Sequence, residues 1–198
     1  MSDHDNLEVS DNPDPGRLGR NKPGPRAARI AQILRVDHAG EYGAVAIYRG
    51  QRAVFDRAPS KATISAEIAD MEAGEAEHLE TFDRLLAERN VRPTLLSPLW
   101  NAAGFGLGAA TALMGERAAM ACTAAVEDVI EKHYAEQADE LDEVEPDLAG
   151  LLRKFRDDEL EHKATAEEAG AHDAPGYRLF SSVIGVGCRA AIKIAEKI

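Results

Sequence analysis

The sequence predicts an all-α protein, a four-helix bundle with an additional C-terminal helix, and three observations carry that expectation. Apolar residues recur at three-to-four spacing through long runs, which is the period of a helix buried on one face. No stretch alternates apolar and polar residues for long enough to make a strand. The short pattern E-x-E-H occurs twice, as EAEH at 75–78 and ELEH at 159–162, inside two of those runs. Chance alone supplies such a pattern only on the order of 0.06 times in a chain of this composition, so its recurrence asks for a reason.

The elements follow in order. Ile30, Ile33, Leu34, Ala44, Ile47 and Val54 mark a first helix over about 27–55. A second runs from Ser60, a residue suited to capping, to Glu88, and the stretch from Asn90 to Pro93 ends it. A third covers about 110–141 and a fourth about 147–169, closed by Gly170. A fifth, shorter helix is expected from Tyr177 to Ile198. Before them, residues 1–25 combine Pro, Gly and scattered charge with few apolar residues, which predicts a disordered arm; residues 26–198 form the helical domain. The arm has no apolar core of the kind that marks a secretory signal.

Bulk composition narrows the function classes. A chain of 198 residues with 44% hydrophobic content can bury one substantial core. Its net charge of −12 and pI near 4.9 exclude a nucleic-acid partner, because phosphate binding needs clustered Lys and Arg that the helical body lacks. Cys122 and Cys188 form no C-x-x-C pair and read as small buried residues in a reducing compartment.

On a helix, residues three apart lie about 60° from each other, so Glu75 and His78 face one way while Glu77 points elsewhere. The same holds for Glu159, His162 and Glu161. One helix upstream of each pair stands another acid, Glu41 for the first and Glu127 or Glu131 for the second. The chain thus reads Glu, Glu-x-x-His, Glu, Glu-x-x-His on four successive helices, the order found in ferritin-like carboxylate bundles that bind two metals. Four carboxylates and two imidazoles would converge at the bundle centre, and the mixed oxygen and nitrogen donors suit two iron or manganese ions. Glu127 and Glu131 share a face, and spacing does not separate them. Tyr134 lies on that face two turns on, either a core residue or part of the site's wall. His133 is turned about 120° away and reads as an outer or surface residue. Asp158 is either an ordinary exposed acid or a partner for the distal nitrogen of His78. His4, His38 and His172 receive no role at the metals.

The strings RVDHAGEYGAVAIYRGQ, EAEH, CTAAVEDVIEKHYAEQ and KFRDDELEHKATAEEAGA resemble the demethoxyubiquinone hydroxylases of ubiquinone biosynthesis, a resemblance that runs from about residue 28 onward. It implies a di-iron monooxygenase that uses O2 to hydroxylate the ring of a polyprenylated 6-methoxy-3-methyl-1,4-benzoquinone or its quinol. By that match Glu41, Glu75, His78, Glu127, Glu159 and His162 are the iron ligands, with Glu127 preferred over Glu131, and His133 and Tyr134 fall on a His-Tyr pair near the metals. Electrons would come from the quinol, from NADH or from a partner protein, since no dinucleotide or flavin fingerprint is present. A ferritin-like iron-handling protein and an idle scaffold of the ubiquinone-making complex are the alternative readings. Other ubiquinone biosynthesis proteins or a second copy of the chain are the protein partners to expect.

A polyprenyl tail leaves the bilayer at about 0.8 kcal/mol per CH₂, so the resemblance also implies an enzyme at the membrane, on its cytoplasmic face. Residues 93–115 carry no charge. They are either a buried connector leading into a helix or a membrane-surface segment; their Gly, Ala, Pro98 and Asn101 disfavour spanning. Residues 176–198 mix Arg178, Arg189, Lys193 and Lys197 with Phe180, Val183, Ile184, Ile192 and Ile194. That pattern fits either an anionic lipid surface or a helix packed on the bundle.

Overall fold

A computed structural model describes residues 24–197, which form six α-helices. They are α1 (Pro25–Phe55), α2 (Ala62–Glu88), α3 (Ser97–Leu113), α4 (Glu116–Leu141), α5 (Pro146–Glu168) and α6 (Tyr177–Ala195). His4, most of the expected arm and Ile198 lie outside the described residues. Pro25 already belongs to α1, where its fixed φ suits the first helical position.

Three expectations need correction. The run from 110 to 141 is not one helix, because Gly115 adopts φ 114°, a conformation a helix interior does not tolerate. Residues 110–113 therefore end α3, and most of the uncharged segment is a helix in its own right where a connector was one of the two expectations. Ser60 does not cap α2: Pro59 opens a short 3₁₀ turn, Pro59–Lys61, and the α-helix begins at Ala62 with no side-chain cap. The helix count is six where five were expected. Gly170, in the left-handed conformation at φ 93°, closes α5 as expected.

Helices α1 and α2 form one hairpin and α4 and α5 a second, and the hairpins pack into a bundle. Two ion pairs join the hairpins at one end of the bundle, Arg29, on α1, with Glu140, on α4, at 2.7 Å, and Arg89, after α2, with Glu145, before α5, at 2.8 Å. Helix α3 lies on α1 and α6 on α4, covering one side of the bundle. Glycines allow the first of these contacts. A Cβ on Gly104 would stand 2.7 Å from the Gly43 carbonyl oxygen, and one on Gly108 would collide with the backbone at Ile47. Only bare backbone fits at these two positions, which accounts for Gly104 and Gly108.

Two apolar clusters fill the bundle from opposite ends. One gathers Tyr48, Phe55, Ile68, Met71 and Met120; the other gathers Leu34, Phe82, Tyr134, Leu152 and Phe155. Each large side chain so buried contributes about 1.5–3 kcal/mol. Along all four bundle helices the ligand-type residues fall in the interval between the two clusters, so the apolar ends seal a polar middle.

Candidate metal centre

Each bundle helix delivers an acid to that interval. Glu41 comes from α1, Glu75 from α2, Glu127 from α4 and Glu159 from α5, and none is more than 1% exposed. The Glu-x-x-His spacing does what helix geometry requires: His78 stands one turn from Glu75 and His162 one turn from Glu159, with Glu77 and Glu161 turned out to solvent. His78 Nδ1 lies 3.3 Å from Glu159, 3.7 Å from Glu75 and 3.9 Å from Glu41. His162 Nδ1 lies 2.9 Å from Glu75 and 3.6 Å from Glu159. Two overlapping groups result, Glu41 with Glu75, His78 and Glu159, and Glu127 with Glu75, Glu159 and His162; within each, the donor atoms lie within 4.8 Å of one another. Glu75 and Glu159 belong to both, the position of bridging carboxylates.

These donors fit two divalent cations. Buried oxygens on Glu41, Glu75, Glu127 and Glu159, together with Nδ1 of His78, have no hydrogen-bond partner. Four carboxylates buried without compensation would cost several kcal/mol each. Two protonated histidines could balance only half of the four negative charges, whereas two divalent ions with neutral imidazoles balance all of them. Without metal, the charge is absorbed by protons. Burial, then the charge of Glu75, raises Glu41 well above the usual carboxylate range, and burial with the charge of Glu159 does the same to Glu127. Against burial, which would raise it, the hydrogen bond from His162 and the nearby His78 imidazole hold Glu75 below that range. Against burial, which would lower them, the carboxylates of Glu159 and Glu75 beside them push both histidines up to about 10.

The surrounding residues divide into those the sequence anticipated and those it did not. Glu131, half-buried, joins neither group, whereas Glu127 does. Tyr134 is buried and donates to Glu41 through a short hydrogen bond. His133 turns away, its Nε2 3.4 Å from Asp37. Asp158 accepts from Nε2 of His78 at 3.1 Å, the outer-carboxylate arrangement that orients a metal-binding imidazole. His38 pairs with Asp83 at 2.9 Å, and His172 is exposed near Glu167; neither reaches the centre.

Sequence reasoning missed Tyr48 and Asp37. Tyr48 is buried and donates to Glu127 at 2.5 Å, so each tyrosine braces the glutamate of the opposite hairpin. The signal was available: Tyr48 follows Glu41 by seven residues as Tyr134 follows Glu127, a second repeat in register with the first. Burial, then the neighbouring Glu127 charge, pushes the Tyr48 phenol well above its usual range, so it stays a donor. Asp37 is buried and accepts from Gln137 at 2.8 Å; nothing local in the sequence distinguishes it from an exposed acid on α1.

Comparison with known proteins agrees with this geometry. The family described as "Ubiquinone biosynthesis protein COQ7" matches residues 28–195. The chain is 48% identical over 176 residues to a 3-demethoxyubiquinol 3-hydroxylase of Rhodospirillum rubrum, covering 89% of this chain and 81% of the relative. It is 46% identical over 175 residues to the NADPH-dependent 3-demethoxyubiquinone 3-hydroxylase, mitochondrial, of Homo sapiens, covering 86% and 79%. A match at 37% over 214 residues joins it to the 5-demethoxyubiquinone hydroxylase, mitochondrial, of Saccharomyces cerevisiae, covering 100% of this chain and 91% of that one. With the repeated glutamate and Glu-x-x-His pattern folded into one buried centre, and with likeness along nearly the whole described length, the chain belongs to the COQ7 family of ubiquinone biosynthesis proteins.

Proposed function

We propose that this chain hydroxylates the ring of demethoxyubiquinone, the polyprenylated 6-methoxy-3-methyl-1,4-benzoquinone, or of its quinol, with dioxygen. The observation that carries the reading is the set of buried, unpartnered donor atoms at the bundle centre, in a chain whose relatives are named as hydroxylases of this ring. Two iron ions held there would supply the redox chemistry that dioxygen requires. Glu41 and His78 would hold one and Glu127 and His162 the other, with Glu75 and Glu159 reaching both. Tyr48 and Tyr134 engage one oxygen of Glu127 and of Glu41, leaving the second oxygen of each for a metal. The apolar clusters above and below keep bulk water from the reacting atoms.

His133 and Tyr134 act at the edge of this centre in the same reading. Tyr134 meets Glu41, and His133, its neighbour in the chain, lines a cleft of about 350 Å³ between α1, α4 and α6. The reductant comes from outside the chain's own motifs, as the quinol, NADH or a partner protein.

Attachment to the membrane is peripheral and on the cytoplasmic face. Among the described residues no helix is long and apolar enough to cross a bilayer. Helix α3 exposes Leu95, at its approach, with Leu99 and Phe105, and α6 exposes Leu179, Val183 and Val186, all on the covered side of the bundle. An apolar surface of that extent suits a lipid-borne substrate, and Arg178, Arg189 and Lys193 on α6 suit anionic headgroups.

Mass spectrometry of quinones from cells lacking this protein tests the reading. The demethoxy intermediate should accumulate, and the gene should restore ubiquinone while a Glu159→Ala, His162→Ala variant should not. Unchanged quinone content in the deleted cells would remove the proposal.

A further inference from the structure

The two halves of the metal centre are not copies of each other. Setting Glu41, Tyr48, Glu75 and His78 against Glu127, Tyr134, Glu159 and His162 puts Gly74 opposite Asp158, each directly before the glutamate of its Glu-x-x-His. Asp158 holds the distal Nε2 of His78 at 3.1 Å. The residue placed to do the same for His162 is Gly74, which has no side chain, and among the described residues no hydrogen bond reaches that Nε2. A side chain there would press on the ring, since a Cβ on Gly74 would stand 3.1 Å from Nε2 and 3.2 Å from Cε1 of His162.

Packing differs in the same sense. The His78 ring stacks on Phe155 with centroids 3.9 Å apart, whereas His162 has only an edge contact with Tyr48 at 6.4 Å. The His78 side chain is 4% exposed and that of His162 is 14%. His162 and Gly74 meet at the seam between α2 and α5, which lies away from the side covered by α3 and α6. The exposed edge of this imidazole therefore faces water, not the apolar surface.

We propose that the two metal positions are inequivalent by construction: the one built on Glu41 and His78 binds its ion tightly, and the one built on Glu127 and His162 exchanges its ion through the α2–α5 seam beside Gly74. The inference rests on the metal-binding reading above. Its physical basis is the outer carboxylate. A hydrogen bond from Nε2–H to Asp158 fixes the tautomer that leaves Nδ1 free for metal, and it fixes the ring's direction; loss of such a partner costs about 10–100-fold in affinity. His78 has that partner and a stacked ring. His162 has neither, and Gly74 leaves its ring free to swing from the cluster.

Anaerobic titration of the full chain with Co(II) against a competing chelator, followed by absorption, reads the two positions directly. Wild-type protein should bind two ions in phases separated by about 10–100-fold. His162→Ala should remove the weaker phase and leave the tighter, and His78→Ala should do the reverse. Asp158→Gly, which makes the first half resemble the second, should weaken the tighter phase by about 10–100-fold and bring the two together. Asp158→Asn, which keeps an acceptor oxygen, should restore most of the separation. Two ions bound with equal affinity, a tight phase unmoved by Asp158→Gly, or loss of the tight phase in His162→Ala would each overturn the inference while leaving the metal centre standing. A chain that binds no metal would instead overturn the reading on which it rests.

Discussion

Helices α1, α2, α4 and α5 turn large apolar residues toward one another and hold acids at their centre, whereas α3 turns mostly small residues inward, and both α3 and α6 leave large apolar ones in solvent. The contrast lies in direction, since α3 is the more apolar stretch by composition. In α3 the buried positions are Gly104, Gly108, Thr111 and Ala112, while Leu99, Phe105 and Leu113 are exposed. A helix that serves the core buries its bulk; one that serves an outside surface spends its small residues on close docking and presents its bulk elsewhere. The inner four helices thereby make a buried polar site, and the outer two make an apolar face beside it.

The sharpest way to break this division is to remove an acid from the inside and compare it with a near neighbour. Glu127→Ala should abolish ring hydroxylation and lower iron content, because it removes one of four charges that balance the cations. Glu131→Ala, about 6 Å along the same helix, should keep iron stoichiometry and most activity. Iron analysis and single-turnover product formation on both variants check this. Iron lost from the Glu131 variant and kept by the Glu127 variant would reverse the assignment.

Much of that inner site was legible in the sequence because helix geometry converts a spacing of three into a shared face, and because the pattern occurs twice. Glu75 and Glu159 needed no tertiary information beyond that. What spacing left open was Glu127 against Glu131, since residues four apart share a face; only the packing of α4, which sets one level with the opposite hairpin, separates them. The outer helices were harder to read for a different reason. The glycines of 93–115 mark both weak lipid insertion and close backbone approach, and the choice depends on the surface of α1, where Gly43 and Ile47 receive Gly104 and Gly108. The break at Gly115 was hidden likewise, because apolar periodicity runs through it and only its positive φ ends the helix. Tyr48 went unread through attention to charged residues alone.

The outer docking gives the next prediction. Gly108→Val should push α3 off α1, since a side chain there meets the backbone at Ile47 with nothing flexible to yield. Overpacking of this kind costs about 1–3 kcal/mol or more. Thermal unfolding of the metal-free chain should shift down accordingly, while two ions still bind, because no donor atom lies on α3. Metal loss in step with the shift would show that the inner and outer regions are one cooperative unit.

Liposome flotation addresses the apolar face itself. Replacing Leu95, Leu99 and Phe105 with Ser should weaken association with vesicles containing anionic lipid and leave metal content unchanged, because all three side chains are already in solvent. Unaltered flotation would take the lipid role from α3 and leave α6 as the remaining contact.

A further effect is expected on the thermal stability of the metal-free chain as pH rises, and its sign follows from the inner site alone. His78 and His162 have folded values of about 10 against an ordinary value of 6.5, so between those limits the folded chain holds more protons than the unfolded one. Stability that they contribute is fully present below 6.5 and is lost as pH climbs through 10. Glu41 and Glu127, raised by burial and by their acidic neighbours, act in the same direction, because ionising them inside the bundle is opposed. Metal reverses the balance, since it requires neutral imidazoles and ionised carboxylates. The midpoint of the metal-free chain should therefore fall between pH 6.5 and 10 while that of the iron-loaded chain holds or rises. A Gly108→Val chain should show the same slope from a lower start, since α3 contributes none of the titrating groups, and a slope altered by that substitution would mean that the outer helix sets the burial of the inner acids.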